Sequence, residues 1–100
     1  MKTTKNFYDE ICETYEVSSA YAVAKIVDVK PNTALRWKKN ASTFDEDISV
    51  RVAKLLDYDP AYVLACMAAQ KSEEKESYSY WTKIAGMLES GKKTTARLAL

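Results

Sequence analysis

Between Lys30 and Phe44 the chain carries Lys30, Arg36, Lys38 and Lys39 and not one acidic residue. Asn32, Thr33, Asn40, Ser42 and Thr43 are interleaved with these cations, and side chains of these types hydrogen-bond phosphate oxygens and base edges. Little else in the chain is equipped for chemistry. It has no histidine, so Ser-His-Asp, Cys-His and His-metal arrangements are excluded. Cys12 and Cys66 lie in separate apolar stretches and read as small buried hydrophobes, neither a metal pair nor, in a reducing compartment, a disulfide. The carboxylates, lysines and tyrosines form no recognisable catalytic constellation. The expectation is a protein without enzymatic activity, metal, cofactor or small-molecule ligand.

The formal net charge of +1 hides this basic segment. Residues 1–29 carry three lysines against five acids, and residues 45–60 carry Arg51 and Lys54 against five acids. Positive charge returns only at the end, with Lys83, Lys92, Lys93 and Arg97 against Glu89. A nearly neutral chain organised in this way can still turn a basic face to a polyanion. Arg51 and Lys54, on an acid-rich segment, read as paired surface charges.

The elements that must position the basic segment are helices. One hundred residues suit one domain, and 47% hydrophobic with 29% charged residues argues against disorder. Tyr8, Ile11, Cys12 and Tyr15 recur at helical spacing after Phe7 and predict a helix over about 6–15. Ser18 or Ser19 caps a short second helix, about 20–27, with Tyr21, Val23, Ala24 and Val27 apolar. Pro31 starts a third helix running to about 39, since proline favours the first helical position. In it Ala34 and Trp37, with Val29 before it, face the core, and Lys30, Asn32, Thr33 and Arg36 face outward. Asp28 and Asn40 occupy left-handed positions at the ends of the second and third helices.

After a polar loop, residues 45–56 place Ile48, Val52, Leu55 and Leu56 on one face behind three acids. Asp59-Pro60 opens a fifth helix with Val63, Leu64, Met67 and Ala68. Residues 71–76 read as its solvated end or as a linker. Trp81, Ile84, Ala85 and Leu88 give a sixth helix stopped by Gly91, and residues 92–100 read as a basic tail. Trp37 and Trp81 both read as core. No strand-like alternation interrupts this series, so the fold class is all-α.

Residues 7–65 resemble the Cro/repressor-type helix-turn-helix regulators of phages and bacteria. The resemblance rests on Ala24-x-x-x-Asp28-Val29, Arg36-Trp37, Val52-Ala53-Lys54-Leu55-Leu56 and Asp59-Pro60-Ala61-Tyr62-Val63-Leu64, a set that looks like small regulators of filamentous phages and prophages. It departs from the family pattern where Asp28 and Asn40 stand in place of glycine and where Pro31 holds a position often occupied by a base-reading residue. The resemblance implies a five-helix lambda-repressor-like domain over residues 1–70, with the helix-turn-helix at about 19–40, a helical extension over 71–91 and a tail over 92–100.

It further implies a regulator that binds palindromic double-stranded DNA as a homodimer. Lys30, Asn32, Thr33 and Arg36 would then contact bases. Ser19, Ala20, Lys38, Lys39, Asn40, Ser42 and Thr43 would contact phosphates. Tyr62, Met67, Tyr80, Trp81, Ile84 and Leu88 are candidates for the dimer surface. The rival reading keeps the fold but makes it a protein-binding module, antitoxin-like or an inhibitor of a host protein. The chain has no apolar run of membrane-spanning length and no apolar N-terminal leader, so the expected compartment is the cytoplasm.

Overall fold

Six helices follow one another in the computed structural model, which describes residues 1–89: α1 Thr4–Tyr15, α2 Ala20–Val27, α3 Pro31–Lys38, α4 Glu46–Leu56, α5 Pro60–Lys71 and α6 Ser77–Met87. No strand element occurs among the described residues, and none of these helices is long and apolar enough to cross a membrane. The expected stop at Gly91 and the tail over 92–100 lie outside the described residues.

Most helix starts are visible in local chemistry. Ser19, Asp45 and Asp59 accept the N–H groups of Ala22, Ile48 and Ala61 at 3.1, 2.8 and 2.9 Å, each satisfying one of the donors a helix leaves free at its start. Asp45 is therefore the cap of α4 and not its first residue. Helix α1 begins two residues earlier than the apolar spacing indicates, because Thr3 and Asn6 form a reciprocal capping box at 3.2 and 2.9 Å. Asn6 stands where that motif usually has Glu or Gln, which concealed it. Helix α6 ends at Met87, short of Gly91.

The helix ends share a device. Glu16, Asp28, Asn40 and Asp57 all have positive φ, 55°, 65°, 56° and 62°. In each case the following residue returns its N–H to a carbonyl of the last helical turn: Val17 to Cys12, Val29 to Ala24, Ala41 to Arg36 and Tyr58 to Ala53, at 2.8–3.0 Å. This satisfies carbonyls the helix would otherwise leave unpaired. Val17 and Val29 pack against the core, and Tyr58 is buried in it. Asp28 and Asn40 were expected in this conformation; Glu16 and Asp57 were not.

The core is gathered around aromatic rings. Trp37 of α3 meets Phe44 edge-on at 4.8 Å, Phe44 lies 6.1 Å from Phe7 of α1, and Phe7 in turn meets Tyr58 and Tyr62 at 5.7 and 6.2 Å. These separations are those at which ring edges and faces attract. Val23, Val27, Ala34, Val52, Ala53 and Leu56 fill the space between. Thr4 is buried too, its N–H and hydroxyl both donating to Gln70 Oε1 at 2.9 Å.

Several sequence expectations are corrected here. Tyr62 and Met67 are buried and unavailable as a dimer surface. Helix α5 lies between α4 and α6 and encloses side chains over more than one face, where a surface helix buries one stripe. Trp81 is not core but 37% exposed, and Tyr21 at the start of α2 is 65% exposed. Val29, Ile48 and Leu55 are half-buried against the core and not enclosed by it. Tyr15 lies at the surface, its hydroxyl donating to the Leu55 carbonyl at 3.1 Å. Residues 71–76 are not wholly solvated, since Ser72 is buried and its hydroxyl donates to the Ala68 carbonyl at 2.8 Å.

Replacing Trp37 by alanine is expected to destabilise the protein by about 3–5 kcal/mol, the usual cost of removing a large enclosed aromatic side chain. Denaturant unfolding checks this, and a midpoint close to the wild-type value would show that α3 is held by other contacts.

Candidate nucleic-acid interface

Helices α2 and α3 are each eight residues long and are joined by Asp28, Val29 and Lys30. Helices this short are not stable in isolation, so packing must determine where they lie. Val23, Ala24 and Val27 bury the inner face of α2, and Ala34 and Trp37 that of α3. The spacing from Ala34 to Trp37 leaves the opposite side of α3 outward. Lys30, Asn32, Arg36, Lys38, Lys39 and Asn40 are all exposed, and Thr33 is half-buried beside them.

The expected phosphate ligands are more varied. Ser19 is exposed at the N-terminus of α2, with its hydroxyl already accepting the Ala22 N–H. Ala20, Ser42 and Thr43 are half-buried. Asn40 is exposed, and its Oδ1 accepts from Gln70 Nε2 at 3.1 Å, the same Gln70 that holds Thr4. The beginning of α1, the end of α5 and the turn after α3 are thus tied through one amide side chain. Arg51 lies at the surface as expected, but its partners are carbonyls and not a carboxylate. Its Nη1 donates to the carbonyls of Val27 and Asp28 at 2.7 and 3.3 Å, while the ion pairs among the described residues join Met1 to Glu89, Lys2 to Glu10 and Lys5 to Asp9.

Two exposed residues of this surface escaped the sequence reading. Leu35 is exposed one turn after Asn32 and next to Arg36, and Tyr21 projects from the first turn of α2. Apolar type suggested burial for Tyr21, and only the packing of Val23, Ala24 and Val27 showed that it lies on the other side. In Leu35 the available signal was its position next to Arg36 on the strip opposite Ala34 and Trp37.

The remaining reactive side chains lie elsewhere. Cys66 is buried and Cys12 half-buried, both as free thiols, and burial pushes both above the ordinary thiol range. A thiol held protonated in this way is a poor nucleophile. Among the described residues no group of three His, Cys, Asp or Glu side chains is placed to hold a metal ion. A groove of about 500 Å³ runs between α5 and α6, with Leu64, Met67, Ala68, Trp81 and Ile84 among its lining and Phe44 beneath. Of the dimer candidates, Tyr80 is 63% exposed, Ile84 and Trp81 are partly exposed, and Leu88 is half-buried against the core. Met87, 74% exposed, is the addition the structure makes to that group.

Compared with known proteins, the chain matches no family model, no curated sequence and no solved structure.

The turn itself can be tested. Asp28 holds a φ of 65°, which glycine adopts freely and β-branched residues resist. Asp28→Gly should leave stability within about 1 kcal/mol of wild type and Asp28→Val should lower it by about 1–3 kcal/mol, the usual strain range. Thermal unfolding of the pair checks this, and equal stability would show that the turn relaxes without cost.

Proposed function

We propose that this chain is a sequence-specific DNA-binding transcriptional regulator, a repressor or Cro-like protein of a phage or prophage, with α2 and α3 forming a helix-turn-helix in a lambda-repressor-like domain. It acts in the cytoplasm, without catalysis, as a homodimer on palindromic double-stranded DNA. The observation that carries this reading is the outward face of α3: Asn32, Arg36, Lys38 and Lys39 exposed together beyond a left-handed turn, within a stretch free of acidic residues. A recognition helix needs such a face, with amide and guanidinium groups for base edges and flanking cations for phosphates.

In this reading Lys30, Asn32, Thr33 and Arg36 face the bases, and Leu35 adds an apolar surface suited to a thymine methyl. Lys38, Lys39 and Asn40, with Ser42 and Thr43 beyond them and Ser19 and Ala20 at the N-terminus of α2, follow the phosphates. Pairing falls to α6, where Tyr80, Ile84 and Met87 recur at i, i+4 and i+7 and Lys83 is the sole charged residue. Two recognition helices about 34 Å apart are what a palindromic site requires. A second reading, a module that binds a host protein, is favoured by the apolar groove between α5 and α6.

Arg36→Ala is expected to weaken binding to a selected duplex by about 1–3 kcal/mol with much less effect on random DNA, the behaviour of a base contact. Lys39→Ala should weaken both and lower the salt slope by about one, since a phosphate contact releases counterions whatever the sequence. Titrations at several salt concentrations check both. A full-length monomer that binds no DNA at any salt would favour the host-protein reading.

Assembly has its own test. Sedimentation of the double variant Tyr80→Lys, Met87→Lys should show a monomer where the wild type is a dimer, because two like charges per chain would face their copies across the two-fold axis. A variant as dimeric as the wild type would move the interface away from α6.

A further inference from the structure

Helix α3 is anchored unevenly. Its buried side chains, Ala34 and Trp37, come only from its fourth residue onward, while Pro31 and Asn32 are exposed and Thr33 is half-buried. Its N-cap residue Lys30 provides no side-chain hydrogen bond, and the N–H groups of Thr33 and Ala34 return to the Lys30 carbonyl at 3.0 and 3.3 Å. The first three residues of α3 have no enclosed side chain, so the direction of this turn depends strongly on the segment 28–30, where Val29 packs against the core. Within the α2–α3 pair that backbone is held by the Val29 N–H on the Ala24 carbonyl at 2.9 Å. From outside the pair it is reached by Arg51 of α4, whose Nη1 bonds the Val27 carbonyl at 2.7 Å and the Asp28 carbonyl at 3.3 Å.

We infer that Arg51 is the positioning residue of the recognition helix, a guanidinium clamp from α4 that fixes the turn and thereby the aim of Asn32 and Thr33. The inference rests on the proposed DNA-binding function for its consequence, though not for its geometry. A cation is suited to the task because carbonyls at the C-terminal end of α2 carry the negative end of the helix dipole. Charged donors also make stronger hydrogen bonds than neutral ones. Arg51 stands on α4, whose Val52, Ala53 and Leu56 are buried, so the clamp refers the turn to a rigid element. Lysine at the same place keeps the charge and one donor, and methionine keeps the length while losing both.

The experiment compares full-length wild type, Arg51→Met and Arg51→Lys by amide hydrogen exchange and by DNA binding. In Arg51→Met the amides of Val29, Thr33 and Ala34 should exchange about tenfold faster while those of Cys66 and Met67 in α5 keep their wild-type rates, the sign of a local opening. Arg51→Lys should regain part of that protection. The ratio of affinity for the tightest duplex selected from a random pool to affinity for the unselected pool should fall about tenfold in Arg51→Met, because misaimed base contacts are lost and phosphate contacts are kept. Unchanged exchange at residues 29–34, or an equal rise in α5, overturns the clamp. Local protection lost with no change in the affinity ratio overturns its role in aiming α3. If the wild type binds no duplex, the DNA-binding function falls, and the exchange result alone decides whether Arg51 clamps the turn.

Discussion

An eight-residue helix has too few internal hydrogen bonds to offset the cost of ordering its backbone, and α3 is such a helix. Its existence depends on the Trp37 ring seated edge-on against Phe44. Phe44 leans on Phe7, and Phe7 on Tyr58 and Tyr62, so a single aromatic chain runs from the exposed basic helix through α1 to the start of α5. The outward face of α3 is the reverse of this packing. Arg36 and Lys39 are exposed because Trp37 is not.

Helix termination gives the five-helix region its second constraint. The chain has only two glycines, Gly86 and Gly91, so the left-handed residues that end α1, α2 and α4 and follow α3 are all non-glycine. Asp and Asn tolerate this conformation better than most residues, and the N–H that follows each one returns to the helix it closes. Hydrophobic burial of Val17, Val29 and Tyr58 directly after three of these positions offsets the backbone strain. The turn between α2 and α3 belongs to this series and differs in one respect, the added guanidinium of Arg51. Extra support there fits a helix whose first three residues have no enclosed side chain.

Helix α6 stands apart. Ala85 is buried and Leu88 packs against the core, so the helix is docked onto α5. It nevertheless leaves Tyr80, Ile84 and Met87 at the surface and an apolar groove along its inner edge. Exposed apolar side chains are common singly and informative when contiguous. Here they recur along one helix, apart from the exposed cations of α3, so the apolar and basic surfaces lie on separate elements of one small domain.

The helical class, the approximate positions of the six helices and the basic, acid-free composition of residues 30–44 are all legible in residue types and spacing. Those properties are local: helical spacing, proline and capping residues, and left-handed Asp28 and Asn40 act within a few residues of themselves. The sequence also indicated that Trp37 faces inward, because the apolar positions of α3 allow only one buried stripe. Tertiary structure decided what depends on neighbours distant in the chain. Tyr62 and Met67 are enclosed because α5 is covered by α6 as well as α4, and no periodicity within α5 marks a helix buried on several sides. Tyr21 and Trp81 reach the surface because apolar type records what a side chain prefers, whereas the space available is set by the elements packed beside it. Arg51 reads as a charge paired with a nearby acid, but with α4 against the end of α2 its partner is a carbonyl twenty-four residues earlier in the chain. Its carbonyl partners are backbone atoms, which every residue carries, so residue types alone could not disclose them.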